Sequence, residues 1–379
     1  MRLRRAALFL TTLTAGAVLT APAAQATDRI GLDFLGARVL PNALQFQGTT
    51  VGGLSAISYD ARSGQYYLIS DDRSAKNPAR FYTARIAVST SGAPTVTLTA
   101  TRPWLRPDGT VFPPTAPPTV APDPEGLAVD PRTGKLFWSS EGERNVPATG
   151  APTLGDPWIR VASRSGEYRG EVRLPAQFRV SAEQVGPRQN QVLEGLSFTP
   201  DGRRLYAGLE DPLFQDGPVP SPTAGALTRI TEFDPQRRTP VAQYAYRLEK
   251  LFATPPNADS TDTNGLTDVL ALGHGKLLII ERASIFRTNT WKVRIYLADT
   301  HGATDVLHKN ALVGSAVTPM RKTLLLDLSD VPGLKLDNFE GATLGPRLPD
   351  GRRSLILVTD DNFNTAEITE FAAFAISGV

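Results

Sequence analysis

Short apolar runs alternate along this chain with turns rich in Gly, Asp, Arg and Pro, and no stretch sustains the 3.6-residue apolar period of an amphipathic helix. Five segments repeat one plan: "GGLSAISYDARSGQYYLISDDRS" from Gly52, "EGLAVDPRTGKLFWSSEGER" from Glu125, "EGLSFTPDGRRLYAGLED" from Glu194, "NGLTDVLALGHGKLLIIERAS" from Asn264 and "EGATLGPRLPDGRRSLILVTDDN" from Glu340. Each reads as a β-hairpin, an apolar strand and a glycine-bearing turn followed by a second apolar strand. Their aligned glycines, Gly53, Gly126, Gly195, Gly265 and Gly341, are 73, 69, 70 and 76 residues apart. Further strand-like runs such as "RFYTARIAV", "WIRVAS", "TRITEFD" and "VRIYLAD" fill the intervals. Stacked units of this kind predict an all-β protein, a single β-propeller with four-stranded antiparallel blades. The length predicts six blades, one of them too divergent to align and closed by the two ends of the chain.

The repeat also places oxygen ligands. The residue before the aligned glycine is Glu125, Glu194, Asn264 and Glu340 in four units, and Gly52 in the first. The first strand of each propeller blade lines the central channel, so these side chains are expected to face one another. Crowded carboxylates raise one another's pKa unless a cation neutralises them. Hard oxygen ligands favour calcium first, then magnesium or manganese. A second set of acids closes the second strand: Asp71 and Asp72, Glu141 and Glu143, Glu210 and Asp211, Glu281, and Asp360 and Asp361. In a hairpin that end lies beside the start of the first strand, so both sets belong on one rim. The expected metal ligands are Glu125, Glu194, Asn264, Glu340, Glu141, Glu210, Glu281 and Asp361. Arg73, Arg144 and Arg282 each follow an acid directly, and a guanidinium beside a cation suits an anionic oxygen substrate. The opposing reading makes Glu-Gly a turn and the strand-end acids solvated caps. A turn explains the glycine but does not require the recurring charge.

Composition narrows the setting. Met1 to Ala26 has a charged start with Arg2, Arg4 and Arg5, an apolar middle and a small-x-small ending at Ala24-Gln25-Ala26, the layout of a signal peptide. Its apolar part falls short of the roughly 20 residues that span a bilayer. Residues 27–379 are expected to form the propeller. Without the three signal arginines the formal charge moves from +2 to −1, which argues against nucleic acid or an anionic membrane as partner. The expected partner of this secreted monomer is a small anionic or ester substrate. Cysteine is absent, so no disulfide holds the fold. There is no His-Glu-x-x-His site, no Gly-x-Ser-x-Gly elbow and no phosphate loop, and His274 reads as a turn residue.

With its repeated Glu-Gly-Leu and its terminal "TDDNF", the chain resembles the "esterase-like activity of phytase" family of secreted bacterial proteins from about Gly31 to Phe374. The resemblance implies a propeller and hydrolysis of phosphate or related esters. The expected activity is metal-dependent phosphate-ester hydrolysis, with Glu125, Glu194, Glu340, Arg73, Arg144 and Arg282 as catalytic candidates and Ca2+ as cofactor. A lactone or carboxylic-ester hydrolase on the same site, and a non-catalytic binding propeller with a structural cation, are the alternatives. If the leader reading holds, amino-terminal sequencing of the secreted protein will begin at or within a few residues of Thr27; retention of Arg2 to Arg5 would contradict it.

Overall fold

The computed structural model describes residues 30–116, 119–255, 262–285 and 288–379; the expected signal segment lies outside them. The described residues hold no α-helix, only single 3-10 turns such as Ala176–Phe178 and Phe214–Asp216, and no helix is long and apolar enough to cross a membrane.

The strands assemble into five four-stranded antiparallel sheets. Blade 1 runs through Ala56–Asp60, Gln65–Ile69, Arg80–Ala87 and Thr95–Pro103, and blade 2 through Pro124–Val129, Leu136–Ser140, Trp158–Ala162 and Tyr168–Val172. Blade 3 takes Leu193–Phe198, Leu205–Leu209, Ala226–Asp234 and Thr239–Leu248, and blade 4 takes Thr263–Gly273, Lys276–Ile285, Thr290–Asp299 and Arg321–Asp327. Blade 5 combines Phe339–Arg347, Arg353–Thr359 and Glu370–Ser377 with Gly31–Val39 from the other end of the chain.

The propeller therefore has five blades, not six. Closure by the two ends does occur, with Leu32 opposite Ile376 and Arg38 opposite Phe371. It completes the fifth repeat instead of building a sixth, because that repeat supplies only three strands of its own. The long repeat interval is taken up by loops on the rim.

Strand alternation explains the core. Successive side chains of a strand point to opposite faces of its sheet, and here each face meets a different neighbour. Tyr66 and Leu68 of blade 1 pack with Ile356 and Val358 of blade 5, whereas Tyr67 and Ile69 pack with Leu127 and Trp138 of blade 2. Leu277 and Ile279 of blade 4 likewise face blade 3, while Leu278 and Ile280 face blade 5. Stacked Trp104 and Trp138, 4.4 Å apart at 7°, thicken the wall between blades 1 and 2.

The first strands form the inner ring, each in contact with the first strands of both neighbours. Polar side chains tie this ring. Ser58 Oγ accepts from Val129 N at 3.0 Å, Ser139 Oγ donates to Leu193 O at 3.0 Å, and Ser197 Oγ accepts from Ala271 N at 2.9 Å. Asp268 Oδ2 accepts from Ala342 N at 2.6 Å, and Thr343 Oγ1 accepts from Tyr59 N at 3.0 Å, which closes the circuit. The aligned glycines permit this proximity: a Cβ on Gly126 would collide with the Glu194 carbonyl, and one on Gly265 would stand 2.6 Å from Glu210 Oε1.

Ser139 is fully buried and also accepts from Gly126 N at 2.7 Å. Ser139→Ala strands both backbone groups away from water, so denaturant unfolding should show a loss of about 1–3 kcal/mol. A change within a few tenths would mean that the ring does not depend on these ties.

Candidate metal centre at the channel mouth

The Glu-Gly dipeptide sits on a break in the hairpin ladder. Pairing of the first two strands shifts register between Pro124 and Leu127 in blade 2, between Leu193 and Leu196 in blade 3, and between Phe339 and Gly341 in blade 5. Such a bulge re-aims a side chain. Glu125, Glu194 and Glu340 are brought into one electrostatic neighbourhood at the mouth of the channel.

The strand-end acids join them by a shared register. The N–H of Glu141, Glu210 and Asp360 donates to the carbonyl two residues before the Glu of the same blade: Asp123 at 3.2 Å, Val192 at 2.8 Å and Asn338 at 3.0 Å. Two trios of carboxylates result, Asp123 with Glu125 and Glu141, and Glu141 with Glu194 and Glu210, each with one oxygen per residue inside a 4.8 Å span. Two arginines flank them. Arg282 Nη2 lies 2.9 Å from Glu340 Oε1 and 3.3 Å from Glu210 Oε1, and Arg73 pairs with Glu143 and lies 3.4 Å from Asp123 Oδ2. Arg282 is nearly enclosed, whereas the Arg73 side chain keeps 31% of its surface open. Glu125 and Asp71 are also partly open, so the solvent-facing edge lies on the side of blades 1 and 2.

These carboxylates lack sufficient neutralisation. Glu141 Oε1 accepts from Val192 N, but Oε2 has no partner, nor have Asp71 Oδ1 or either oxygen of Asp211. Burial, reinforced by neighbouring carboxylates, pushes Asp71, Glu125, Glu141 and Glu194 well above the ordinary range. Burial also lifts Asp123 to about 6, against the pull of Arg73, and Glu210 to about 7, against that of Arg282. Burial raises Glu340 as well, again opposed by Arg282. Orphaned, buried, hard oxygen donors are the ligand set that a divalent cation fits.

Other expected site residues are placed differently. The register shift of blade 4 falls later, between Leu266 and Asp268, so Asn264 pairs regularly with Ala283. Its Nδ2 donates to Glu249 O at 2.8 Å and to Glu281 Oε2 at 3.1 Å, and its Oδ1 is buried without a partner. Glu281 is saturated by Tyr246, Glu249 N, Asn264 and Lys322, the last at 2.6 Å. Strand alternation turns Glu281 to one side and Arg282 to the other, so the cation, not the acid, of that pair reaches the centre. Asp361 accepts from Gly53 N at 2.8 Å, Phe363 N at 3.1 Å and Thr369 Oγ1 at 3.0 Å, which makes it a tie between blades 5 and 1. Arg144 donates to the carbonyls of Ser181, Ala182 and Glu183 and lies over the Phe214 ring, 4.6 Å from its centre.

Asp123 enters the centre although the equivalent positions of blades 3 and 5, Val192 and Asn338, carry no charge. Its only signal was its position two residues before Glu125. Asp71 and Asp211 carried a signal as strand-end acids.

Fold and rim together define a five-bladed, all-β propeller with a carboxylate-rich centre at one mouth of its channel. Residues 49–363 match the model of the phytase-like family, described as esterase-like activity of phytase, and the chain belongs to that family. No curated protein matches. Among solved structures it is similar to an endo-arabinase from Bacteroides thetaiotaomicron VPI-5482, at 13% identity and TM-score 0.40 over 85% of this chain and 93% of that one. It is also similar to a thermostable family-43 glycoside hydrolase, at 11% identity and TM-score 0.40 over 86% of this chain and 90% of that one.

The raised pKa values fix a pH dependence. The folded, metal-free protein holds protons that the unfolded chain releases near the ordinary values of 3.8 for Asp and 4.5 for Glu. Stability from these groups is complete below that range and declines as pH rises through about 6 for Asp123 and about 7 for Glu210. Thermal melts of chelator-treated protein should therefore fall in midpoint from about pH 4 to pH 8, and calcium should flatten the decline. A midpoint that rises over this interval without metal would contradict the assignment.

Proposed function

We propose that the protein is an exported, metal-dependent hydrolase of phosphate esters acting at the carboxylate-rich mouth. The observation that carries this reading is the set of buried, unpartnered carboxylate oxygens beside a partly open arginine. Glu125, Glu194, Glu340, Glu141, Glu210 and Asp123 hold a divalent cation, calcium by preference for many hard oxygen ligands. When bound, it supplies Lewis-acid stabilisation of the charge that builds on the phosphoryl oxygens.

The chain's own residues do the rest. Arg73 presents its guanidinium to the phosphoryl group from the open edge. Arg282, enclosed between Glu210 and Glu340, keeps those carboxylates in place. Glu125 is the partly exposed member of the axial set, so it is the carboxylate that can reach an attacking water as general base. It takes a proton from the attacking water as the new P–O bond forms and the ester P–O bond breaks; the departing alkoxide takes a proton from solvent. A carboxylic ester or lactone in place of the phosphate ester would call on the same groups.

One observation favours a purely structural cation: Glu141, Glu194 and Glu210 are all less than a tenth exposed. Assays separate the readings. Purified protein should hydrolyse phytate or nitrophenyl phosphate faster than nitrophenyl acetate or lactones, and chelator should abolish the activity until calcium is restored. Arg73→Gln should lower kcat/KM by about 100-fold, the equivalent of one charge-assisted hydrogen bond of about 2–3 kcal/mol, with its fold unchanged by circular dichroism. Hydrolysis that persists undiminished after metal removal sinks the metal-dependent reading, and binding of calcium without turnover of any ester leaves the cation structural.

A further inference from the structure

The two carboxylate trios share one member. Asp123, Glu125 and Glu141 all come from the hairpin of blade 2, whereas Glu194 and Glu210 come from the hairpin of blade 3 and are joined by Glu141 from across the blade boundary. Each trio has its own arginine, Arg73 beside Asp123 and Arg282 beside Glu210. The centre is thus two adjacent, similar half-sites hinged on one carboxylate.

We infer that the channel mouth binds two divalent cations, one in each trio, with the Glu141 carboxylate bridging them. This rests on the cation reading above and adds its stoichiometry and its topology. Glu141 is 2% exposed, and its Oε2 is buried with no hydrogen-bond partner, the state expected of an oxygen reserved for a ligand. Ligand distances of about 2.3–2.6 Å fit one calcium inside each 4.8 Å trio. Glu141 belongs to both trios, and a carboxylate shared by two ions sets them about 4 Å apart, the separation of two-metal hydrolytic sites.

The test is to titrate chelator-stripped protein with calcium by calorimetry and to count bound ions by native mass spectrometry. The parent should take up two calcium ions per chain. Glu125→Gln should keep the blade 3 ion alone, Glu210→Gln should keep the blade 2 ion alone, and Glu141→Gln should weaken both at least tenfold. Should Glu141→Gln fail to fold, the parent loaded with Mn2+ decides: a bridged pair gives an exchange-coupled electron paramagnetic resonance spectrum, and an isolated ion gives six sharp lines. One calcium per chain, or an isolated-ion spectrum at saturation, overturns the bridged pair and leaves the cation reading standing. No calcium uptake at all overturns both.

Discussion

Carboxylates repel one another, and here the closure of the fold forces them together. Five inner strands must meet around one axis, so the side chains that blades 2, 3 and 5 carry at the start of their first strands are drawn into one neighbourhood. Three of the five carry glutamate, and the hairpin geometry adds the acids that end the second strands. Burial then removes the solvent that would have screened them. The energy of closing the ring is therefore linked to the charge state of its mouth: protons, arginines or metal ions must supply positive charge before the inner strands can approach.

The remainder of the molecule reads as the means of holding that arrangement. Alternating side chains give every blade two apolar faces, and the walls between blades carry the bulk of the buried area. Hydroxyl and carboxylate ties between inner strands set the spacing of the ring, and glycine at the aligned positions makes that spacing attainable. The strand Gly31–Val39 closes blade 5 from the far end of the chain, and Asp361 ties the same blade to Gly53. Both sit where the ring must be sealed if the carboxylates are to be kept together.

The repeated hairpin, its turn glycines and the inward glutamates were legible in the sequence because each rests on local residue types in a fixed order. Blade number was not, since the strand completing blade 5 lies about 340 residues from its partners in the chain and nothing local marks the pairing. Asn264 and Glu281 occupied the right repeat positions, yet a bulge displaced to Leu266–Asp268 changes which side chains face the axis, and bulge position leaves no mark in residue type. Arg144 looked like Arg73 and Arg282, but its partners are carbonyls of the loop at Ser181 to Glu183, which no acid-arginine pairing announces. Asp123 went unseen because the position does not recur as an acid in blades 3 and 5, where Val192 and Asn338 stand.

The account depends on positive charge being drawn into the mouth, and a crystal structure of protein soaked in Mn2+, with data collected at the manganese absorption edge, addresses that most directly. The account predicts anomalous density among Asp123, Glu125, Glu141, Glu194 and Glu210, with an ion in contact with Glu141 Oε2, which now lacks a partner. Ordered water alone at these carboxylates, with manganese absent or bound only elsewhere on the surface, would contradict it.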